Sequence, residues 1–436
     1  MELIVKCEDS PLLNQASRWV IGFSGGVDSQ VLLNLANESA KEYHKKIIAV
    51  HIHHGLNPKA DEWAAHCKKV CAELQLPCHI IKIKVNTENG ASLEAAAREA
   101  RYQALAEFMQ PGDILLTGHH QDDQAETLLL QLMRGAGVKG LAAMGLDSRL
   151  RENDVIVRPL LHTSRNDILA YAKQHNLQWI HDDSNDNTRF DRNFLRQEIL
   201  PKLTNRWPQA VNNMTRSAEH CAEADDLLMQ LGRQDYQPAT KINKLNLSEF
   251  LTQDIITRLA IKPLVSLSNT RLKNALRTWL HDFDILMPSE IKLQHIIQDM
   301  LLSADDANPV VSWSDIELRR FNHELYLCKS LPSFDTTKTY QWDLKSDLVL
   351  SIGTLTPAGL EQAKITKNFT LQPGKIYTIR FRQGGEQFHP ADRTHSQSLK
   401  KLFQEWQIPT WLRDRTPLLY DENSLVAVLL IRKIYA

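Results

Sequence analysis

The sequence predicts an α/β protein: a doubly wound parallel sheet, then a helical domain, then a small mixed α/β C-terminal domain. Three observations carry this prediction. Apolar strand-like runs alternate with helical patterns between residues 19 and 119, helical periodicity dominates residues 190–300, and the pattern is mixed again from about residue 350. Strands that are apolar throughout and alternate with helices are typical of a parallel sheet covered on both faces.

Four strands and four helices are predicted in order within the first domain. The strands are WVIGF, KIIAVHI, CHIIKIKV and DILLTGH, and the helices begin near Ser29, Asp61, Ser92 and Asp122. A fifth strand, VIVRPLL, and a helix over residues 164–176 extend this unit to about residue 185. In such folds ligands bind at the carboxyl ends of the strands.

The later elements are predicted from shorter patterns. AEADDLLMQLGRQ and TRLKNALRTWL have helical periodicity, GKIYTIRFRQGGE resembles a hairpin, SLKKLFQEWQ a short helix and LVAVLLIRK a closing strand. We therefore expect domains at residues 1–215, 216–330 and 350–436.

Composition favours a soluble multidomain protein. The chain has 436 residues, 43% hydrophobic and 24% charged, which is enough to bury two or three cores. MELIVKCEDS lacks the basic and apolar regions of a leader, and the run Leu425 to Ile431 is far shorter than the roughly 20 residues of a membrane span. We expect no membrane association.

Cysteine usage predicts a reducing, cytoplasmic location, because six cysteines in a chain of this size are too few for a disulfide framework. Cys67 and Cys71 lie one helical turn apart, and a metal site is the alternative interpretation. No CxxC pair is present, so buried structural thiols are favoured. The cysteines are Cys7, Cys67, Cys71, Cys78, Cys221 and Cys328.

The stretch WVIGFSGGVDSQVLLNL predicts an anion site. A buried strand stops at Ser-Gly-Gly and a helix follows at once, which places free backbone amides at a helix N-terminus. Ser24 and Ser29 add hydroxyl donors, and Asp28 is expected to help hold a divalent cation. The alternative is a glycine turn without a ligand. The loop residues are Ser24, Gly25, Gly26, Val27, Asp28 and Ser29.

A second cluster follows the DILLTGH strand, which ends at Gly118 and His119. Acidic side chains and a threonine crowd the next helix: Asp122, Asp123, Glu126 and Thr127. The helix dipole explains acidic residues there in part, and a site for magnesium and nucleotide explains their density better. Arg134 and three glycines then form a loop suited to receiving a substrate.

The SGGVDS loop resembles the pyrophosphate-binding loop of the PP-loop ATP pyrophosphatases, which have an adenine nucleotide α-hydrolase-like fold. A Walker loop would end in GK[ST], whereas this loop ends in Val27-Asp28-Ser29. The resemblance implies ATP as a substrate cleaved between its α and β phosphates. It also implies magnesium on Asp28 and Asp123, and nucleotide contacts from the loop, Gly118, His119 and His51 of HIHHGLN. A metal site at those histidines is the alternative.

A wider set of motifs resembles the tRNA(Ile)-lysidine synthetase family. The set comprises SGGVDS, HxxHGLN, GHHxDDQAET, MRGAGVKGL, RPLL and DDSNDNTRFDRNFLR. The resemblance implies that free L-lysine is joined to the wobble cytidine of the CAU anticodon of tRNA(Ile). ATP would adenylate the cytosine carbonyl oxygen, AMP and pyrophosphate would be released, and decoding would change from AUG to AUA and charging from methionine to isoleucine.

The same resemblance implies catalytic roles for five residues. They are Asp28, Asp122, Asp123, Glu126 and Arg134. The sequence leaves open which carboxylate holds the lysine ammonium, aids its deprotonation or holds magnesium. It also leaves open whether the chain acts alone or as a homodimer.

Two basic segments are expected to bind tRNA. Residues 189–216 hold six Lys or Arg against two Asp or Glu, and residues 375–415 hold eight against four, in a chain of net charge −1. Arg98 and Arg101 share one face of a helix and are further candidates. Ordinary solvated faces are the alternative. The predicted substrate-binding residues are Arg98, Arg101, Arg192, Arg196, Lys400, Lys401 and Arg415.

Three other functions are alternatives to lysidine formation. A tRNA thiolase of the same superfamily would normally bring catalytic cysteines, often as CxxC pairs, and none is present. A GMP or NAD synthetase acts on a small molecule and needs no late basic domain. A tRNA chaperone without chemistry does not explain the acidic cluster, and AMP formation would distinguish it.

Overall fold

The computed structural model describes residues 11–85, 93–149, 155–182, 187–240, 254–301, 309–357, 360 and 363–429. The chain divides into two units, residues 1–226 and 227–436. Some of the predicted features lie outside the described residues. They are Cys7, the predicted helix start at Ser92, residues 183–186 of the DDSNDNTRF motif, and the end of the closing strand after residue 429.

A six-stranded sheet forms the centre of the first unit, in the order β3-β2-β1-β4-β6-β5. Its five main strands are parallel, as predicted, and β5 pairs antiparallel with β6. The short strand β5 was not predicted. The strands are β1 (Arg18–Gly22), β2 (Lys46–His53), β3 (Cys78–Lys82), β4 (Asp113–Leu116), β5 (Asp147–Arg149) and β6 (Val155–Val157).

Helices cover both faces of this sheet. Trp19 and Ile21 of β1 belong to one apolar cluster and Val20 to another, so successive side chains bury against opposite layers. This confirms the doubly wound α/β prediction. The helices are α1 (Pro11–Gln15), α2 (Val27–Glu42), α3 (Ala60–Glu73), α4 (Leu93–Phe108), α5 (Gln121–Met133), α6 (Val138–Leu141), α7 (Arg165–Gln174), α8 (Asp191–Phe194), α9 (Leu200–Arg206) and α10 (Ala210–Tyr236).

The order of the strands in the six-stranded sheet determines where a ligand site is expected. Strand β1 pairs with β2 on one side and with β4 on the other, so the chain direction across the sheet reverses between β1 and β4. Ile21 of β1 lies beside Leu116 of β4. The loops that follow these two strands therefore emerge side by side, at the position where open α/β sheets bind ligands.

The prediction of buried thiols is confirmed for Cys67 and Cys71, whereas Cys78 is only partly buried. All five described cysteines are free. Burial raises the pKa of Cys67 to about 12, which keeps it a neutral thiol. No helix among the described residues has the length and apolar character needed to cross a membrane.

The first part of the second unit combines helices with a sheet. The predicted helices are present, but β7 also lies within the segment predicted to be helical, so that prediction was incomplete. The helices are α11 (Ile261–Val265), α12 (Asn269–Asp282) and α13 (Glu290–His295). The strands form an antiparallel sheet in the order β7-β10-β9-β8: β7 (Ile255–Ala260), β8 (Val310–Trp313), β9 (Ile316–Phe321) and β10 (Glu324–Lys329).

The C-terminal part is mixed α/β, as predicted. Its main sheet has the order β11-β15-β18-β19-β14, and β12–β13 and β16–β17 form two short pairs. The strands are β11 (Tyr340–Trp342), β12 (Leu348–Leu350), β13 (Gly353–Leu355), β14 (Lys364–Ile365), β15 (Tyr377–Arg380), β16 (Gln387–Phe388), β17 (Gln397–Ser398), β18 (Leu418–Asp421) and β19 (Ser424–Val428), and the helices are α14 (Leu399–Glu405) and α15 (Thr410–Arg413).

The predicted hairpin over residues 374–386 is wrong. Strand β15 pairs with β11 and β18, which come from distant parts of the sequence, while β16 pairs with β17. Gly384 and Gly385, with φ of 101° and 86°, turn the chain away after β15 instead of returning it along the same strand. The predicted short helix and the described part of the closing strand are confirmed as α14 and β19.

Candidate active site

The loop between β1 and α2 has the geometry of an anion site. Helix α2 begins at Val27, and its cap residue Gly26 supplies no side-chain hydrogen bond to the first turn. The Ser24 and Ser29 hydroxyl oxygens lie 3.1 Å apart, and the Ser29 hydroxyl donates to the Gly26 carbonyl at 3.0 Å. Amides without side-chain caps, two hydroxyls and the positive end of a long helix suit a phosphate group.

Gly25 gives this loop its shape. Its φ is +87°, and the backbone amide of Ile180 donates to its carbonyl at 2.9 Å. A Cβ on Gly25 would lie 2.6 Å from Cδ1 of Ile180 and 3.1 Å from Sγ of Cys67. A side chain here would meet both an unfavourable backbone conformation and a filled space, so the loop requires glycine.

Asp28 and Asp123 approach each other at His120. The His120 side chain is fully buried, and its Nε2 lies 3.7 Å from an Asp28 oxygen and 3.4 Å from an Asp123 oxygen. Among the described residues, neither Nε2 of His120 nor Oδ1 of Asp28 has a hydrogen-bond partner. Partial burial raises the pKa of Asp28, because a carboxylate that loses part of its hydration favours its neutral form.

Two arginines bind the inner carboxylates of α5. Arg196 donates to Glu126 Oε1 at 2.6 Å and to Asp123 Oδ1 at 3.1 Å, and Arg192 donates to Glu126 Oε2 at 3.1 Å. Both arginines come from the helical stretch that includes α8 and the π turn Leu195–Ile199. These two residues were predicted to bind tRNA, and their guanidinium groups point instead into the acidic cluster.

Asp123 and Glu126, the two carboxylates bound by these arginines, differ in pKa. Burial opposes ionisation of Asp123, but the His120 imidazole and the two guanidinium groups outweigh it and lower its pKa to about 2. Burial raises the pKa of Glu126 even though the arginines favour its charged form. Asp123 is thus an anion throughout the physiological range.

Exposure separates the three acidic side chains of α5. The Asp122 side chain is 28% exposed, that of Asp123 12% and that of Glu126 0%. Asp122 accepts from the backbone amide of Arg165 at 3.3 Å. A ligand arriving from solvent therefore meets Asp122 before it meets either of the carboxylates held by arginine.

Three residues outside the loop were predicted to contact the nucleotide, and each has a different environment in the structure: His51, Gly118 and His119. His51 is buried with Nδ1 2.9 Å from the Phe23 carbonyl, so it braces the end of β1. His119 pairs with the Thr117 hydroxyl at 2.9 Å, and burial lowers the pKa of His119 to about 3. Gly118 lies against the backbone of α2.

The remaining predicted arginines of the first unit have local contacts. The Arg98 guanidinium lies 5.0 Å from the centre of the Tyr102 ring, and Arg101 Nε donates to His54 Nε2 at 3.3 Å. Arg134 is exposed at the end of α5. Among the described residues, no hydrogen bond or ion pair links these three arginines to the acidic cluster.

In the second unit, Lys400 and Lys401 are exposed on α14. Arg415 instead donates to the Pro332 carbonyl, and its guanidinium lies 5.5 Å from the centre of the Phe334 ring. The basic segment 375–415 also contains the ion pairs Lys375–Asp421, Arg382–Asp414 and Arg393–Glu405. Three of the eight Lys and Arg side chains of this segment are therefore paired with a carboxylate.

Sequence reasoning missed His120, which joins the loop to α5. The only signal was the doublet His119-His120 directly before the acidic run, and only the first histidine was selected. It also missed the role of Ile180, since a backbone hydrogen bond leaves no mark in the sequence. Within the described ranges, no group of three or more His, Cys, Asp or Glu side chains is arranged to hold a metal by itself.

Family models match the chain in three places. A PP-loop domain matches residues 2–203, a TilS substrate binding domain residues 259–326 and a TilS substrate C-terminal domain residues 377–433.

Curated relatives match nearly the whole chain, and three of them are each named tRNA(Ile)-lysidine synthase. The relative from Coxiella burnetii is 42% identical over 95% of this chain and 89% of its own. The relative from Methylococcus capsulatus is 39% identical over 95% and 92%, and that from Pectobacterium atrosepticum 41% over 94% and 89%.

Proposed function

The chain belongs to the tRNA(Ile)-lysidine synthase family, and from this premise we propose which of its residues perform the reaction. Free L-lysine is joined to the wobble cytidine of the CAU anticodon of tRNA(Ile), and ATP is converted to AMP and pyrophosphate. The product is read as AUA instead of AUG, and the tRNA is charged with isoleucine instead of methionine. The observation that carries the proposal is the meeting of the Ser24–Ser29 loop with the acidic helix α5 at the ends of β1 and β4.

Two chemical steps are needed because the cytosine carbonyl is a poor electrophile with a poor leaving oxygen. That oxygen first attacks the α-phosphorus of ATP, and pyrophosphate leaves. The ε-amine of lysine, having lost a proton, then attacks the activated ring carbon, and AMP leaves. The protein contributes by holding the three reactants in line and by stabilising the charges that develop.

The phosphates of ATP are assigned to the Ser24–Ser29 loop. Its first-turn amides and two hydroxyls supply donors for the departing pyrophosphate, and the helix dipole favours the negative charge. A pyrophosphate spreads its charge over many oxygens, so a set of neutral donors can hold it without the lysine of a Walker loop.

Magnesium is assigned to Asp28 and Asp123. The buried, unpartnered oxygen of Asp28 and the ionised carboxylate of Asp123 suit a cation, which would relieve the poor solvation of Asp28. Magnesium usually takes only one or two carboxylates together with substrate phosphates and water, so a larger cluster of protein ligands is not required. The ion would neutralise phosphate charge during the first step.

Lysine is assigned to the exposed side of the α5 cluster. Asp122 is the most accessible of the three carboxylates, so we assign it the first contact with the lysine ammonium. Glu126 is enclosed by Arg192 and Arg196, which suits a residue that keeps α5 and the arginine-bearing stretch together. Arg134, exposed at the far end of α5, is assigned to the incoming anticodon loop.

The parts beyond the catalytic domain are assigned to tRNA binding. We divide the chain into a catalytic domain at 1–215, a mostly helical part at 216–330 and a C-terminal part at 350–436. Lys400 and Lys401 are the exposed cations expected to meet phosphates. Arg98 and Arg101 remain candidates for contacts with substrate. The cytoplasm is the proposed compartment, and light scattering on the purified protein would decide whether two copies form a homodimer.

The experiment uses the purified full chain, ATP, magnesium, radiolabelled lysine and an unmodified tRNA(Ile) transcript. Label should enter the tRNA only when ATP is present, and a transcript with uridine in place of the wobble cytidine should stay unlabelled. Absence of label in the cytidine transcript, or equal label in both, would overturn the proposal. Tight tRNA binding without AMP formation would favour the chaperone alternative.

A further inference from the structure

His120 lies where the first turn of α2 and the first turn of α5 approach each other. It is the cap residue of α5, its side chain is 1% exposed, and it faces Asp28 of α2 as well as its own helix. His120 lies within the GHHxDDQAET motif, and the reaction described above assigns it no role.

The hydrogen bond at Nδ1 of His120 fixes which ring nitrogen carries the proton. Nδ1 accepts from the backbone amide of Asp122 at 3.2 Å, so this nitrogen has a free lone pair and the neutral ring carries its hydrogen on Nε2. That N–H lies between the carboxylates of Asp28 and Asp123, at 3.7 and 3.4 Å. Asp123 returns the contact by accepting from the His120 backbone amide at 3.0 Å, which completes a capping box.

The Nε2–H of His120 can hold the carboxylates of Asp28 and Asp123 near each other despite their mutual repulsion. Asp123 raises the pKa of Asp28 in addition to the larger effect of burial, which means that the two anions repel each other. A donor held between them keeps both in one place without adding a mobile charge. Both distances are longer than a hydrogen bond, as is common before substrate binds and tightens a site.

We propose that His120 is a positioning residue that sets the separation of the Asp28 and Asp123 carboxylates through its Nε2–H, while its Nδ1 separately caps α5. The inference rests on the proposed function, since those two carboxylates are the ones assigned to magnesium and ATP. The two ring nitrogens therefore have separable tasks, one for stability and one for the first chemical step.

Two substitutions divide these tasks. His120→Asn keeps an acceptor near Nδ1, and asparagine is among the best helix caps, but it removes the donor at Nε2. His120→Gln places an amide nitrogen near Nε2, but glutamine caps a helix poorly. His175→Asn, an exposed histidine at the end of α7, is the control.

The test compares melting temperature, AMP formation with tRNA(Ile) and the affinity for magnesium–ATP. His120→Asn should melt near the wild type yet form AMP at least about tenfold more slowly, with unchanged tRNA affinity. His120→Gln should melt several degrees lower, roughly the effect of a lost cap, and form AMP faster than His120→Asn. This opposite ranking in stability and activity is the expected signature.

Activity that simply follows melting temperature, or a fully active His120→Asn, would overturn the inference while leaving the proposed function intact. A wild-type protein that makes no AMP would instead refute the proposed function. The magnesium–ATP affinities would then decide the inference, which requires weaker binding by His120→Asn than by His120→Gln.

Discussion

Gly118 packs directly against the backbone of Asp28: a Cβ on Gly118 would lie 3.0 Å from the carbonyl carbon and oxygen of Asp28 and 3.1 Å from the Ser29 amide nitrogen. The end of β4 and the first turn of α2 are thus in van der Waals contact. Because Gly118 leads into α5 and Asp28 belongs to the loop helix, this contact joins the phosphate loop and the acidic cluster into a single site.

Gly118→Ala should therefore damage the site. The added methyl group would meet backbone atoms that cannot rotate away, which typically costs about 1–3 kcal/mol and displaces the first turn of α2. AMP formation should fall by at least about tenfold, since small displacements of reacting groups are expensive. Gly22→Ala is the matched control at the end of β1, where the nearest atom is 3.6 Å from the new Cβ. Equal activity of the two variants would contradict the tight contact.

Asp28→Asn should stabilise the protein while abolishing adenylation. The folded protein raises the pKa of Asp28, mainly by burial, so at neutral pH the charged carboxylate favours the unfolded state. The stability gain of the variant should be small below about pH 4, the usual pKa of aspartate, and should grow as the pH rises through the folded-state pKa. Urea unfolding from pH 4 to 8 measures this trend. A variant that is less stable than wild type at pH 7, or that makes AMP at the normal rate, would remove Asp28 from its assigned role.

Arg196→Ala should be destabilising, because it leaves the buried Glu126 without its closest partner. Because Arg192 still pairs with Glu126 at 3.1 Å, the cost should lie below the roughly 3–5 kcal/mol typical of a buried charge left without any partner. Adding Glu126→Gln should recover part of that loss, since a neutral amide is buried more easily than a charge that has lost its closest partner. Arg189→Ala, an exposed arginine in the same basic segment, should change the free energy of unfolding by less than about 0.5 kcal/mol. Equal free energies of unfolding for the Arg196 and Arg189 variants would mean that the Arg196–Glu126 pair does not stabilise the fold.

Replacing both Lys400 and Lys401 with alanine should weaken tRNA binding, with a loss that shrinks as salt rises. Each lost phosphate contact should flatten the slope of log affinity against log salt by about one unit. Lys338→Ala, an exposed lysine outside the basic segment, serves as control. Arg415 is left in place, because its contacts with Pro332 and Phe334 give it a structural role. Unchanged affinity and slope in the double variant would mean that these lysines form a solvated face.

The sheet of the first unit was predictable because its strands are buried on both faces. WVIGF is apolar at every position, DILL is apolar after Asp113 and buried throughout, and such runs between helical patterns specify a parallel sheet. The sheet β7–β10 was harder to recognise. Strand β9, IELRRF, has Arg320 at a buried position where the alternation of a strand calls for an apolar residue, so the strand pattern is broken in the sequence. Strand β15 shows a related limit, since its partners come from distant segments that no local pattern identifies.

The candidate site was predictable where glycine or clustered acids leave a pattern. The loop Ser24–Ser29 and the acidic start of α5, each singled out from such a pattern, lie side by side in the structure. The direction of a long side chain was not predictable. Arg192 and Arg196 lie in a basic segment, yet both pair with the buried Glu126. His120 went unnoticed because its function lies in where its ring is held, which only the packed structure reveals.

The central claim is that one site activates the wobble cytidine before lysine attacks it. The most direct measurement uses ATP labelled at the α-phosphate, the wild-type chain and unmodified tRNA(Ile), first without lysine. Pyrophosphate should be released and label should become attached to the tRNA, and added lysine should then release the label as AMP while lysidine forms. Release of ADP and phosphate, or lysidine formation with no labelled tRNA ever detected on a rapid-quench timescale, would contradict the claim.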